Sequence, residues 1–195
     1  MFGGGHPFEQ FFRQASQPRK NRDLNIRCTV TFKQSYTGCE LEASYQLPSN
    51  KSQTVIIKIP AGIQSGQVIR YSGMGEDTIA GLPRGDLLVT VMVSADLNYE
   101  RRNDDLISFL KINPIEAMCG CTKIVNTLDD TAIRINIQPG VQHGTEFLTR
   151  GMGFANMGGY KGNFIVHVIL DIPKVTDETI KEELEKIYAR ISKTS

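Results

Sequence analysis

The sequence predicts a mainly β protein: two small β-sandwich modules in tandem, followed by an amphipathic helix. Three observations carry this. A glycine-punctuated pattern is written twice, apolar residues within each copy alternate at strand period, and the C-terminal stretch changes to helical period.

The copies read IKIPAGIQSGQVIRYSGMGEDTIAGLPRGDLLVTVMV from Ile57 to Val93 and INIQPGVQHGTEFLTRGMGFANMGGYKGNFIVHVI from Ile135 to Ile169. Gly62 and Gly140, Gly66 and Gly144, Gly73 and Gly151, Gly75 and Gly153, and Gly81 and Gly159 pair at an offset of 78. Gly85 pairs with Gly162 at 77, and Ile59 with Ile137, Ile63 with Val141, Ile69 with Phe147 and Val89 with Val166 keep the apolar register. A ladder this regular means that the same backbone turns recur. Upstream, Asp23-Leu24 with Asp105-Leu106 and Gly38-Cys39 with Gly120-Cys121 lie 82 apart. The first copy thus holds four extra residues, expected around the polar, turn-rich Pro48–Gln53.

In chain order, Met1–Gln17 is a glycine- and phenylalanine-rich stretch that reads as a flexible tail able to dock on a groove, and Pro18–Arg22 reads as a basic linker. Together they form a segment 1–22 ahead of a first module 23–97. Asp23–Lys33 alternates, with Leu24, Ile26, Cys28, Val30 and Phe32 on one side, as a half-buried strand does. Gln34–Gly38 reads as a turn. Strands follow at Glu40–Gln46, Thr54–Ile59, Val68–Tyr71 and the nearly continuous apolar Leu87–Val93. Ser94–Asn103 reads as a wet joint, and the second module, 98–174, repeats the plan, with a helical turn expected at Asn113–Met118 because Pro114 suits a helix start. In 175–195, Ile180, Leu184, Ile187 and Ile191 form a helical stripe. Thr176 or Asp177 can cap it, and Lys181 with Glu185 offers an ion pair. The stripe needs cover, from its own domain or from a second copy of the chain.

Composition excludes more than it assigns. A formal charge of +1 gives no bulk drive toward nucleic acid or anionic membrane, and no apolar stretch is long enough to span a bilayer. Cys28, Cys39, Cys119 and Cys121 contain no CxxC pair, which favours reduced thiols in a cytoplasmic setting over zinc or disulfides. In an extended strand Cys119 and Cys121 would share a face. His6, His143 and His167 lie in no metal or catalytic pattern, and the glycine turns contain no phosphate-binding motif. Arg84-Gly85-Asp86 matches an adhesion tripeptide, but its glycine belongs to the duplicated turn. No catalytic set, metal site or cofactor is expected.

What remains is apolar surface. Leu41, Ala43, Tyr45, Ile69 and Tyr71 supply more of it than one small sandwich needs. They are either the rim of a core or a shallow groove beside an edge strand, where an extended peptide adds backbone hydrogen bonds.

Five stretches, DLNIRCTVTFKQSYTGC, IKIPAGIQSGQVIRYSGMGE, PRGDLLVTVMV, DLISFLKINPIEAMCGC and INIQPGVQHGTEFLTRGMG, resemble the C-terminal peptide-binding region of the DnaJ-type J-domain co-chaperones. The likeness runs from Asp23 to Tyr188. It implies two β-sandwiches of the DnaJ C-terminal type and a dimerisation helix that makes a V-shaped homodimer through Ile180, Leu184, Ile187 and Tyr188. It also implies a site for unfolded client polypeptides lined by Ala43, Tyr45 and Tyr71, with Leu41 and Ile69 as neighbours. No J domain lies in these residues, so no ATPase stimulation of a 70-kDa heat-shock chaperone is expected. The cysteine-rich zinc module is also missing between Gly38 and Gly62, as in the zinc-free architecture. Where zinc-free relatives carry lysines for the partner chaperone's acidic tail, Glu40 and Glu42 would repel it. The rival reading is an assembly module that docks one folded partner.

Overall fold

The computed structural model describes residues 20–156 and 158–193. The expected tail, Met1–Gln17, lies outside them. Two compact units are present, one holding the chain through Asp96 together with Ala155–Gly159, the other Leu97–Phe154 with Tyr160 onward. The fold is mainly β, as the sequence predicts.

The first unit runs β1 (Leu24–Val30), α1 (Phe32–Thr37), β2 (Cys39–Gln46), β3 (Ser52–Ile59), β4 (Val68–Tyr71) and β5 (Leu87–Val93). β5 sits between β1 and β4, parallel to the first and antiparallel to the second. β2 and β3 form a separate antiparallel hairpin. Both sheets turn one side inward to a shared core: Val30, Leu87, Val89 and Val91 from the first meet Tyr45, Val55, Ile57 and Ile59 from the second. Burying such side chains is worth about 1.5–3 kcal/mol each, which is what holds a module this small together.

The second unit repeats this with β6 (Tyr99–Arg102), β7 (Asp105–Ile112), α2 (Pro114–Cys119), β8 (Cys121–Asn126), β9 (Ala132–Ile137), β10 (Glu146–Thr149) and β11 (Phe164–Leu170), and then α3 (Glu178–Ile191). Its larger sheet has the order β10-β11-β7-β6, and β8-β9 is its hairpin.

The structure departs from the sequence reading in several places. Phe32 does not continue the first strand. Thr31 ends it and caps α1: its hydroxyl accepts from Gln34 N at 3.1 Å while the Gln34 side chain accepts from Thr31 N at 2.8 Å. This reciprocal box satisfies two donors at the helix start, so the expected turn is a helix, with Phe32, Ser35 and Tyr36 buried beneath it. Asn113 and Glu116 form the same box on α2, with Pro114 in the first turn. Both helices stop at a glycine with φ of 77°, Gly38 and Gly120. Cys119 therefore ends a helix while Cys121 begins a strand, and the pair does not share one strand face.

The four extra residues are not in the turn. Leu47–Lys51 and Thr127–Thr131 close with the same two backbone bonds, and each puts its fourth residue, Asn50 or Asp130, at positive φ. The offset is 82 at Gly38 and Gly120, 80 at Asn50 and Asp130, and 78 at Gly62 and Gly140. Two residues are thus added to each strand, and the hairpin arms are eight residues long in the first unit against six in the second.

The expected joint contains β6, paired with β7 from Tyr99 opposite Ser108 to Arg102 opposite Asp105. Tyr99 donates to the Asn126 carbonyl at 2.7 Å, and the Arg101 guanidinium stacks 4.1 Å from the centre of the Phe154 ring. At the other end, Lys20–Arg22, read as linker, is held in place: Asn21 is 3% exposed and bonds the loop at Thr78–Pro83. On α3, Asp177 is the cap, accepting from Thr179 N and Ile180 N, and Lys181 pairs with Glu178 rather than Glu185.

Candidate functional site

The five groove candidates all pack on the core of the first unit, from two different sheets. β2 alternates, so Leu41, Ala43 and Tyr45 face inward while Glu40, Glu42, Ser44 and Gln46 face solvent. β4 does the same with Ile69 and Tyr71, which lie opposite Val89 and Leu87 of β5. Tyr45 belongs to the buried cluster, and Leu41, Ala43, Ile69 and Tyr71 pack against it as partly buried neighbours.

The two tyrosines play different parts. Tyr45 is only 8% exposed and donates its hydroxyl to the Met74 carbonyl at 2.7 Å, so it forms part of the core floor. Burial pushes its phenol up, against the opposing pull of Arg84. Tyr71 stays half-exposed, and its hydroxyl accepts from Lys58 N at 3.0 Å. That bond engages the outer edge of β3 from the neighbouring sheet. The hairpin's other edge, the eight residues of β2, receives no backbone bond among the described residues. Met74 also packs against this cluster, which sequence reasoning missed because it lies in a loop with no periodicity.

The duplicated unit provides an internal comparison. From Cys39 and Cys121 the offset of 82 places Lys123 at the position of Leu41 and Val125 at that of Ala43. Lys123 is half-buried and paired with Glu116 of α2, whose carboxyl is held below its ordinary range first by that lysine. A charged residue thus interrupts the second unit's inner row, where the first unit's row is apolar.

Residues 24–173 match the family described as DnaJ C terminal domain. The chain belongs to the DnaJ C-terminal domain family. Among curated relatives, it is 37% identical over 146 residues to Chaperone protein DnaJ 2 of Nocardia farcinica, covering 75% of this chain and 37% of that protein. It is 36% identical over 137 residues to Chaperone protein DnaJ of Protochlamydia amoebophila, covering 70% and 36%. With the Curved DNA-binding protein of Pseudomonas putida strain W619 it shares 28% over 193 residues, covering 93% and 61%. The chain therefore spans between about a third and three fifths of the length of these relatives.

In this DnaJ C-terminal region the remaining candidates have structural roles. Asp86 is buried, accepts from Lys20 Nζ at 2.8 Å and from Gly73 N at 3.0 Å, and also pairs with Arg70. Arg84 donates to the Gly75 carbonyl and to Gln53. The adhesion-like tripeptide is thus spent on holding a turn. His143 accepts from Leu170 N at 3.2 Å, the task that Ser65 performs for Val93 N in the first unit, and His167 is half-buried beside Glu146. All four cysteines are free thiols. No group of ligands able to hold a metal occurs among the described residues.

On the outward face of β2, Glu40 forms an exposed ion pair with Lys58 at 3.3 Å. On α3 the stripe is uncovered, Leu184 being 40% exposed and Tyr188 73%, and none of its described residues is buried. No helix among the described residues is long and apolar enough to cross a membrane.

Proposed function

We propose that the first unit holds apolar segments of unfolded or non-native polypeptides, which add as an extra strand along β2 and seat side chains beside Leu41 and Ala43, while Ile69 and Tyr71 close the opposite side of the core at β3. The observation that carries this is an unpaired eight-residue edge bordering an apolar row, while the duplicate unit breaks the same row with Lys123. A bare strand edge is a template for a further strand, and the row beside it rewards apolarity rather than a defined sequence. Chaperone relatives by name, together with membership of the family, support a co-chaperone role. The charge of +1 supports a polypeptide rather than a nucleic-acid partner, although other relatives are named for curved DNA.

In this reading residues 23–97 are the client-binding module, and α3 joins two chains through Ile180, Leu184, Ile187 and Tyr188. Two grooves in one V-shaped dimer raise the effective concentration for a single unfolded chain, so that weak contacts add up. Work of this kind belongs in the reducing cytoplasm, needs no cofactor, and would pass clients to a 70-kDa chaperone where a J domain is attached. Glu40 and Glu42 disfavour that chaperone's acidic tail at this site.

The test is fluorescence anisotropy with one labelled model protein, in reduced unfolded and in native form. Selective binding of the unfolded form is expected, weakened at least about tenfold by Leu41→Asp, which puts a charge in the apolar row of β2. Ala43→Asp, two residues along the same row, should do the same. Binding that is unchanged in both folded variants, or that favours one native protein, would sink the reading in favour of a dedicated assembly module.

A further inference from the structure

We infer that β2 selects strands with one basic residue between two apolar ones, and that Glu42 sets this preference. The inference rests on strand addition at β2. A strand added to an edge shares its pleat, so its residues opposite Leu41 and Ala43 lie over the apolar row. The residue between them stands on the solvent side, next to Glu42. Across the hairpin, Glu40 already faces Lys58 and is ion-paired with it, whereas Glu42 faces Ile56. No ion pair reaches Glu42 among the described residues. Its carboxylate is thus the one on this strand left for an incoming partner to neutralise.

Farther along the outward row come Ser44 and Gln46, which carry no charge, so the preference is local and bears on one residue of the bound strand. The second unit lacks it: the outward row of β8 is Thr122, Ile124 and Asn126, and its only charge, Lys123, is turned inward to Glu116. The chemical class that fits is therefore a non-native segment with an apolar–basic–apolar core. An acidic residue at the middle position meets like charge directly across the strand, which is destabilising.

Three peptides that differ only at the middle position of an apolar-x-apolar frame, with Lys, Gln or Glu there, are titrated into the full chain at low and at high salt. The expected order at low salt is Lys tighter than Gln tighter than Glu, each step about two- to five-fold, as for a cross-strand charge pair. High salt should compress the series because both partners are exposed. Glu42→Lys should reverse the order without changing the affinity for the Gln peptide by more than about twofold. An unchanged order in folded Glu42→Lys, or a tighter Glu peptide in the wild type, overturns the selectivity. If Leu41→Asp still abolishes binding of all three peptides in that case, strand addition survives and only the role of Glu42 falls. If none of the three binds the wild type, both readings fall together.

Discussion

Asn21 is the side chain whose removal should cost the first unit most for its size. Its Nδ2 lies 3.2 Å from the Ile79 carbonyl, 3.3 Å from Leu82 and 3.2 Å from Pro83. Its Oδ1 accepts from Ile79 N at 2.9 Å and from Thr78 Oγ1 at 3.4 Å. Two amide hydrogens can satisfy at most two of the three carbonyls well, so the side chain contributes about three good bonds. At about 1 kcal/mol net per bond, with buried carbonyls left behind, Asn21→Ala should destabilise the unit by about 2–4 kcal/mol. For a domain of this size that lowers the melting temperature by at least about 8 °C. Calorimetry on the full chain gives the shift, and amide exchange in β5 assigns the transition to the first unit. Asn21→Asp should cost at least as much, since it keeps the acceptor but turns a carboxylate toward three carbonyls. A shift below about 2 °C in either variant would refute the reasoning, because it would mean that these bonds do not pin the loop to the segment that leads into β1.

Other perturbations follow from the same geometry. Gly85→Ala and Gly162→Ala each drive a methyl group into a backbone carbonyl, of Arg22 and Asp104 respectively, and both should lose about 3 kcal/mol or more in urea unfolding. The Asp86 carboxyl is held well below its ordinary value, first by Lys20, then by Gly73 N–H and Arg70. Because the folded value is depressed, its contribution is complete above the unfolded value near pH 4 and is lost as pH falls below it. Asp86→Asn should therefore flatten the fall in the urea midpoint between about pH 5 and pH 2. With α3 joining two chains as proposed, the wild type should sediment as a dimer and Leu184→Glu as a monomer with the β signal in circular dichroism intact; a monomeric wild type, or a dimer that survives Leu184→Glu, would refute the role of α3.

The glycine ladder made the duplication legible because glycine is required where φ is positive: Gly62, Gly66, Gly73 and Gly81 and their partners at 78 all adopt such values. Strands with alternating burial were legible for the same local reason. α1 was hidden because Phe32 fits the strand's apolar alternation, and only the Thr31–Gln34 spacing marks the box that breaks it. β6 was hidden because Tyr99–Arg102 is an edge strand of mostly charged residues, stabilised by pairing rather than by propensity. The groove candidates were found through strand parity, which places Leu41, Ala43 and Tyr45 on one face. Depth was not legible: Tyr45 sinks to the floor because a carbonyl 29 residues away, at Met74, receives its hydroxyl. Nor did Asn21 stand out, since its partners come from a loop about 60 residues downstream.

Amide hydrogen exchange with and without a saturating reduced, unfolded client reads where that chain lands. Exchange should slow along Cys39–Gln46 in β2, with Cys121–Asn126 in β8 unchanged, if clients add as a strand at β2. Slowing in β8 or α3 alone, or none anywhere at saturation, would contradict this placement.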